Sequence, residues 1–225
     1  VNASNLENDI GNESTFDSFY VIQENSELIN SLKKIEQQKE KFYFLWSEQT
    51  SGKSHLLQAI CHNVEASVYI PLKKFSAYPP EILDGMELLS IVCIDDIEEV
   101  LGNIHWETKL FHLFNLIREQ GHGLVIGSST PPKGLKTELP DLDSRLKWGI
   151  TYQLHGMDDK AKAEALRMRA ELRGILLNNE ILNYILLRSE RDTRALFQVL
   201  DKLDDLSLTE KRKITIPFIK STFNW

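Results

Sequence analysis

Short β-rich apolar runs alternate with helical stretches through the first two-thirds of the chain, and the alternation stops at residue 155. From Ser26, "SELINSLKKIEQQKE" places apolar residues at 28, 29, 32 and 35. That spacing predicts an amphipathic helix with Ser26 as its N-cap. The runs "KFYFLW" (41–46), "ASVYIPL" (66–72), "SIVCIDD" (90–96), "GLVIGSS" (123–129) and "GITYQLH" (149–155) predict five strands. The third is apolar almost throughout, as expected of a parallel strand covered on both faces. Helices are predicted over 53–63 and over 105–121, the latter ending at a glycine C-cap. Strand–helix alternation implies βαβ units and a parallel sheet with right-handed crossovers.

After His155 the pattern is helical over 157–174, 178–190 and 192–205, with Asn178 and Asp192 placed as N-caps. A last short helix starts near Pro217, a residue suited to a first helical turn. The opening "VNASNLENDIGNE" is polar, acidic and without period. The chain is therefore divided into a flexible tail (1–13), an α/β base with a five-stranded parallel sheet (14–155), and a small all-helical region (156–225).

Composition narrows the function classes. With 225 residues, 42% hydrophobic and 26% charged, the chain can build a sizeable core. Its longest apolar runs, such as "ILNYILL" (181–187), are too short to span a bilayer, and no export signal opens it. A cytoplasmic protein without a membrane partner is expected. Cys61 and Cys93 each sit in an apolar run and read as buried free thiols, with no metal-ligand spacing. The net charge of −7 is uneven: residues 156–225 carry 13 Lys/Arg against 11 Asp/Glu, and the rest 13 against 22. Such an acidic balance disfavours direct sequence-specific DNA binding, which draws on cationic counterion release.

The chemistry centres on "WSEQTSGKSH" (46–55), which follows the first strand and opens a helix. Gly52, Lys53 and Ser54 complete the second half of a P-loop, G-x-x-x-x-G-K-[ST]. Ser47 stands where its first glycine should be. In such a loop the lysine neutralises β/γ-phosphate charge, the helix amides face the anion, and the Ser54 hydroxyl ligates Mg²⁺. Strand three ends in Asp95 and Asp96, a Walker B pattern whose first acid holds the Mg²⁺ water shell. The two motifs together indicate nucleotide binding, with Ser51, Gly52, Lys53, Ser54, His55 and Asp95 as contact candidates. Hydrolysis is a separate matter. Asp96 stands where a water-activating Glu is common and is one methylene shorter, while Ser47 and Thr50 replace flexible glycines. Ser128 and Ser129 end strand four, either as polar groups beside the expected γ-phosphate position or simply as a strand-end turn cap. Arg145, in "LPDLDSRLKWG", is either a solvated surface charge or a finger reaching the nucleotide of a neighbouring molecule. Arg194 either folds back onto phosphates or pairs with Asp192 or Glu190.

The segments "TFDSF" (15–19), "GKSHLLQAICHN" (52–63), "CIDDIEEV" (93–100), "FHLFNLI" (111–117), "DSRLKWG" (143–149) and "RDTRALF" (191–197) together resemble the DnaA-related AAA+ ATPases. The likeness spans nearly the whole chain past residue 14. It is greatest to the short, Hda-like DnaA homologues that restrain replication initiation, notably over 71–98. The resemblance implies a P-loop AAA+ base followed by a helical lid. It also implies bound ADP or ATP with Mg²⁺, and DnaA and the DNA-loaded sliding clamp as partners. A homo-oligomer is left open. By position Arg145 corresponds to an arginine finger acting in trans on DnaA-bound ATP, Arg194 to the lid arginine called sensor 2, and Ser129 to sensor 1, where the initiator has an acid. The first 19 residues show no clamp-binding stretch of the Q-L-x-L-x-L/F kind, and no DNA-binding helix-turn-helix region is expected after "ITIPFIKSTFNW". The reading implied is a regulator that stimulates a partner's ATPase without being a strong ATPase itself. A stand-alone AAA+ ATPase or helicase-loader-like protein is the alternative.

Overall fold

Five apolar runs form the strands β1 (Phe42–Trp46), β2 (Ser67–Pro71), β3 (Ile91–Asp95), β4 (Gly123–Ser128) and β5 (Ile150–Gln153) of one parallel sheet, ordered β2-β3-β4-β1-β5. The structure, a computed structural model, describes residues 14–48, 51–190 and 192–225. The tail expected over residues 1–13, and Thr50, lie outside the described residues. β3 and β4 are buried along their whole length, which is why their sequences are apolar without alternation. The edge strand β5 alternates between partly buried and exposed residues.

Successive side chains of a strand point to opposite faces, so the sheet carries two cores. On one face Phe42, Phe44, Val92, Ile94, Leu124 and Ile126 pack with Trp106, Leu110, Leu113, Phe114 and Ile117. On the other Tyr43, Leu45, Cys93 and Val125 meet Leu28, Ile29, Leu32, Leu56, Leu57 and Ile60. The helices supplying these residues are α1 (Ser26–Lys33), α2 (Lys53–Asn63) and, after a single turn α3 (Leu72–Phe75), the long α4 (Ile104–Glu119). Each buried large apolar side chain contributes roughly 1.5–3 kcal/mol. α4 ends in a Schellman motif: Gly121 takes φ +70, its N–H bonds the Arg118 carbonyl, and the His122 N–H bonds that of Ile117. A short α5 (Pro140–Leu146) precedes β5.

The expected N-cap at Ser26 is corrected. Ser26 is the first helical residue, and its hydroxyl donates to the Gln23 carbonyl at 2.6 Å, closing a preceding 3₁₀ turn. Of the two free thiols, Cys93 is buried and Cys61 partly so.

The chain divides into two compact units, the first ending at His155 and the second running Gly156–Trp225. The second contains α6 (Asp159–Leu172), α7 (Asn179–Arg188), α8 (Thr193–Glu210) and α9 (Ile216–Phe223). Each opens with a side chain accepting an orphan amide: Asp158 from Ala161, Asn178 from Ile181, Asp192 from Ala195 and Thr215 from Phe218. Leu166, Ile185, Leu196, Leu200, Leu203 and Phe218 form its core. Among the described residues no helix is long and apolar enough to cross a membrane.

Gly127 on β4 shows how tightly the base is packed. A Cβ there would lie 2.4 Å from Asp95 Oδ1 and 2.8 Å from Leu57 Cδ1. Gly127→Ala is expected to cost about 1–3 kcal/mol through overpacking. A urea unfolding midpoint equal to that of the parent would refute it.

Candidate functional site

β1 delivers the chain into the loop, and Ser47 prolongs the parallel pairing: its N–H bonds the Ser128 carbonyl at 3.2 Å. Its hydroxyl, buried, collects the loop's polar groups. Ser51 Oγ donates to Ser47 Oγ at 2.6 Å, and Lys53 Nζ donates to Ser47 Oγ at 2.9 Å and to its carbonyl at 3.4 Å. Gly52 caps α2 in the left-handed region at φ +91, where a Cβ would lie 2.7 Å from the Phe19 ring. Glycine is required there on both counts. α2 starts at Lys53, so its N-terminal amides and dipole sit at the loop, as an anion site needs. His55 turns to the segment before α1: its Nε2–H donates to the Thr15 carbonyl at 2.8 Å, Ser18 Oγ lies 3.3 Å away, and its ring meets Phe19 edge-on at 5.4 Å.

At the end of β3, Asp95 is fully buried. Its Oδ2 accepts from Tyr69 OH at 3.0 Å and its Oδ1 from the Asp96 N–H at 3.1 Å. Burial, and next the Asp95 charge, push the Tyr69 phenol up, so it stays protonated and donates. Both Asp95 bonds come from neutral donors. With the Ser54 hydroxyl this makes a hard-oxygen set, which suits Mg²⁺ held largely through water and phosphate oxygens.

Asp96 takes the left-handed conformation at φ +54, one that Asp tolerates better than most residues. Its pKa is raised to about 6, first by burial, then by the charges of Asp95 and Glu98, against smaller pulls from Lys73 and Lys53. Glu98, a residue the sequence reading passed over, ties β3's exit to β4. Ser128 Oγ donates to its Oε2 and the Ser129 N–H to its Oε1, each at 2.8 Å. Burial pushes the Glu98 carboxyl up, but hydrogen bonds from Ser129, its own backbone and Ser128 outweigh it and hold the carboxyl below its ordinary value. Ser128 is buried, whereas Ser129 lies exposed just past the strand.

The structure thus brings Ser47, Ser51, Lys53, Asp95, Asp96, Ser129 and the missed Glu98 to the carboxyl ends of β1, β3 and β4, where open parallel sheets bind ligands. Two predicted residues lie elsewhere. Arg145, on α5, packs against α4: its Nε–H donates to Asn115 Oδ1 at 3.1 Å, and its guanidinium carbon is 5.8 Å from the ring centres of Phe111 and Phe114. Arg194 is exposed on the first turn of α8, in the second unit. Gly127 and Tyr69 were also missed. The one signal available for Glu98 was its place three residues after Asp95, one helical turn on.

Comparison with known proteins adds to this geometry. Residues 83–153 match the family model of the bacterial DnaA ATPase domain, and residues 159–223 that of the Hda lid domain. Domain III of the Thermotoga maritima replication initiation protein DnaA superimposes with a TM-score of 0.81 at 23% identity, covering 96% of this chain and 97% of that one. AMPPCP-bound DnaA from Aquifex aeolicus gives 0.72 at 20% identity, covering 88% of this chain and 67% of that one. The RuvB Holliday junction branch migration motor of Thermotoga maritima gives 0.68 at 17% identity, over 93% and 73%. At such identities these structures speak for the fold alone. The two family matches fall in chain order, one within each compact unit, and with the fold they support a DnaA-related AAA+ protein with a lid of Hda type.

Proposed function

We propose that this chain holds ADP or ATP with Mg²⁺ in the 46–55 loop and promotes hydrolysis of ATP held by DnaA, restraining replication initiation. The observation that carries this reading is Arg145, whose guanidinium is held on α5 by Asn115 and two aromatic faces, away from the cluster around Lys53. An arginine in that state can stabilise charge on a neighbour's nucleotide rather than its own. In phosphoryl transfer, charge develops on the equatorial oxygens of the γ-phosphate, and a guanidinium supplied in trans lowers that barrier. Lys53 and the α2 amides would bind the chain's own phosphates, and Asp95 with Ser54 would hold Mg²⁺ through its water shell. The sliding clamp is the DNA-bound platform of the encounter. AMPPCP in the Aquifex aeolicus DnaA structure supports the nucleotide assignment.

Asp96 favours a second reading, a stand-alone AAA+ ATPase or helicase-loader-like protein, since it sits where a general base would act. Its carboxylate is ionised at neutral pH, yet it is shorter than Glu, and Glu98 beside it is engaged by Ser128 and Ser129. Steady ATP turnover by the purified chain, lost in Lys53→Ala, would decide for this reading.

Three outcomes are expected. Lys53→Ala should weaken ADP and ATP binding about 10- to 100-fold, the loss of a charge-assisted hydrogen bond set. Calorimetry showing parent-like affinity would remove Lys53 from the site. Arg145→Ala should lower stimulation of DnaA ATP turnover, with clamp and DNA present, by roughly 10³-fold. Equal stimulation by variant and parent would end the finger assignment. Asp96 gives a pH signature. Its folded pKa lies above the ordinary 3.8, so the stability it contributes is complete below about pH 4 and lost as pH rises through about 6. Asp96→Asn should therefore be the more stable protein at about pH 7.5, the gap narrowing toward about pH 5. Denaturant midpoints with a pH-independent difference would contradict the raised pKa.

A further inference from the structure

α4 presents a polar and aromatic face that no motif in the sequence announces. Glu107, Phe111, Phe114 and Asn115 follow i, i+4, i+7 and i+8 spacing and so line one side of the helix. Glu107 is fully buried, and its carboxylate accepts N–H bonds from Gly102 at 2.7 Å, from Glu138 at 2.9 and 3.1 Å, and from Leu139 at 2.6 Å. Leu139 is the N-cap of α5 and offers no side-chain cap of its own. Glu107 therefore grips the chain where α5 begins. Two turns along α4, Asn115 accepts the Nε–H of Arg145, near the end of α5.

We propose that Asn115 is a positioning residue that aims the Arg145 guanidinium at a partner's nucleotide, on a register fixed by Glu107. The inference rests on the finger role proposed above. Of the five N–H donors of an arginine, Nε–H is given to Asn115, which leaves those on the two terminal nitrogens to meet a partner's phosphate. Phe111 and Phe114 flank the group and limit its rotation. A free arginine must lose its rotamer freedom when the complex forms; one already held by Asn115 loses less.

The test measures DnaA ATP turnover, with clamp and DNA, over a range of concentrations of this chain. Asn115→Leu should lower turnover at saturation about 3- to 10-fold and leave the half-saturating concentration unchanged. Asn115→Asp, which keeps an acceptor oxygen in place, should restore turnover to within about twofold of the parent. In an Arg145→Ala background Asn115→Leu should cause no further loss. A side-chain Nε–H resonance of Arg145 protected from exchange in the parent and in Asn115→Asp, but not in Asn115→Leu, reads the contact without the partner. Full turnover in Asn115→Leu while Arg145→Ala is inactive would overturn the positioning role and leave the finger standing. Full turnover in Arg145→Ala would overturn both.

Discussion

The carboxylate of Asp95, buried at the end of β3, is the constraint around which the nucleotide side of the base is arranged. An ionised carboxyl out of water costs several kcal/mol unless donors surround it. Its neighbours meet that demand in different ways. β2 supplies the Tyr69 hydroxyl, the chain just past β3 supplies the Asp96 N–H, and β4 supplies space, since any side chain at Gly127 would strike Asp95 Oδ1. Each concession has a consequence. Tyr69 is kept protonated, Asp96 is drawn into a left-handed turn, and the charge of Asp95 adds to burial in raising the Asp96 pKa. One buried charge thus accounts for residue identity at several surrounding positions.

The loop follows the same logic of local compensation. A glycine at position 47 would offer conformational freedom, but Ser47 continues the β1–β4 pairing and has no need of it. The exchange instead provides a hydroxyl and a carbonyl that hold Lys53, with Ser51 bonded to the same oxygen. Gly52 is different: its backbone has φ +91 and Phe19 presses on it, so neither conformation nor space admits a side chain. The two positions of the P-loop pattern are therefore unequal, and the one this chain retains is the one its geometry requires.

What the sequence made legible follows from how local each cause is. Strands β3 and β4 were readable because burial on both faces demands unbroken apolar runs, and α2 was readable because Gly52 and Lys53 mark its start. The caps Asn178 and Asp192 act over three residues and were readable for that reason. Ser26 misled because its hydroxyl bonds backward to Gln23 rather than forward into the helix. Glu98, Glu107 and Asn115 act on partners some thirty residues away, Ser128 and Ser129, Glu138 and Leu139, and Arg145. No period or spacing in one sequence encodes such a pair; only the fold brings the two ends together. Gly127 was invisible for a related reason, since its identity is set by Asp95 on the adjacent strand.

The contrast between apolar and polar contacts explains why α4 and α5 need both. Leu110, Leu113 and Phe114 on α4 share a core with Leu142 and Leu146 on α5. Such packing holds two helices together, but it is non-directional, and a small slide exchanges one apolar contact for another at little cost. Hydrogen bonds do not slide so cheaply, because a buried acceptor that loses its donors keeps the full desolvation penalty. Glu107 accepts from three backbone N–H groups and, being fully buried, has no exposed face at which to replace them. A buried carboxylate satisfied by backbone amides needs no cation beside it, which leaves the arginine of α5 uncommitted to that charge. Apolar burial thus supplies the adhesion between the helices, Glu107 supplies the register, and the Asn115 acceptor oxygen supplies the direction in which Arg145 is held.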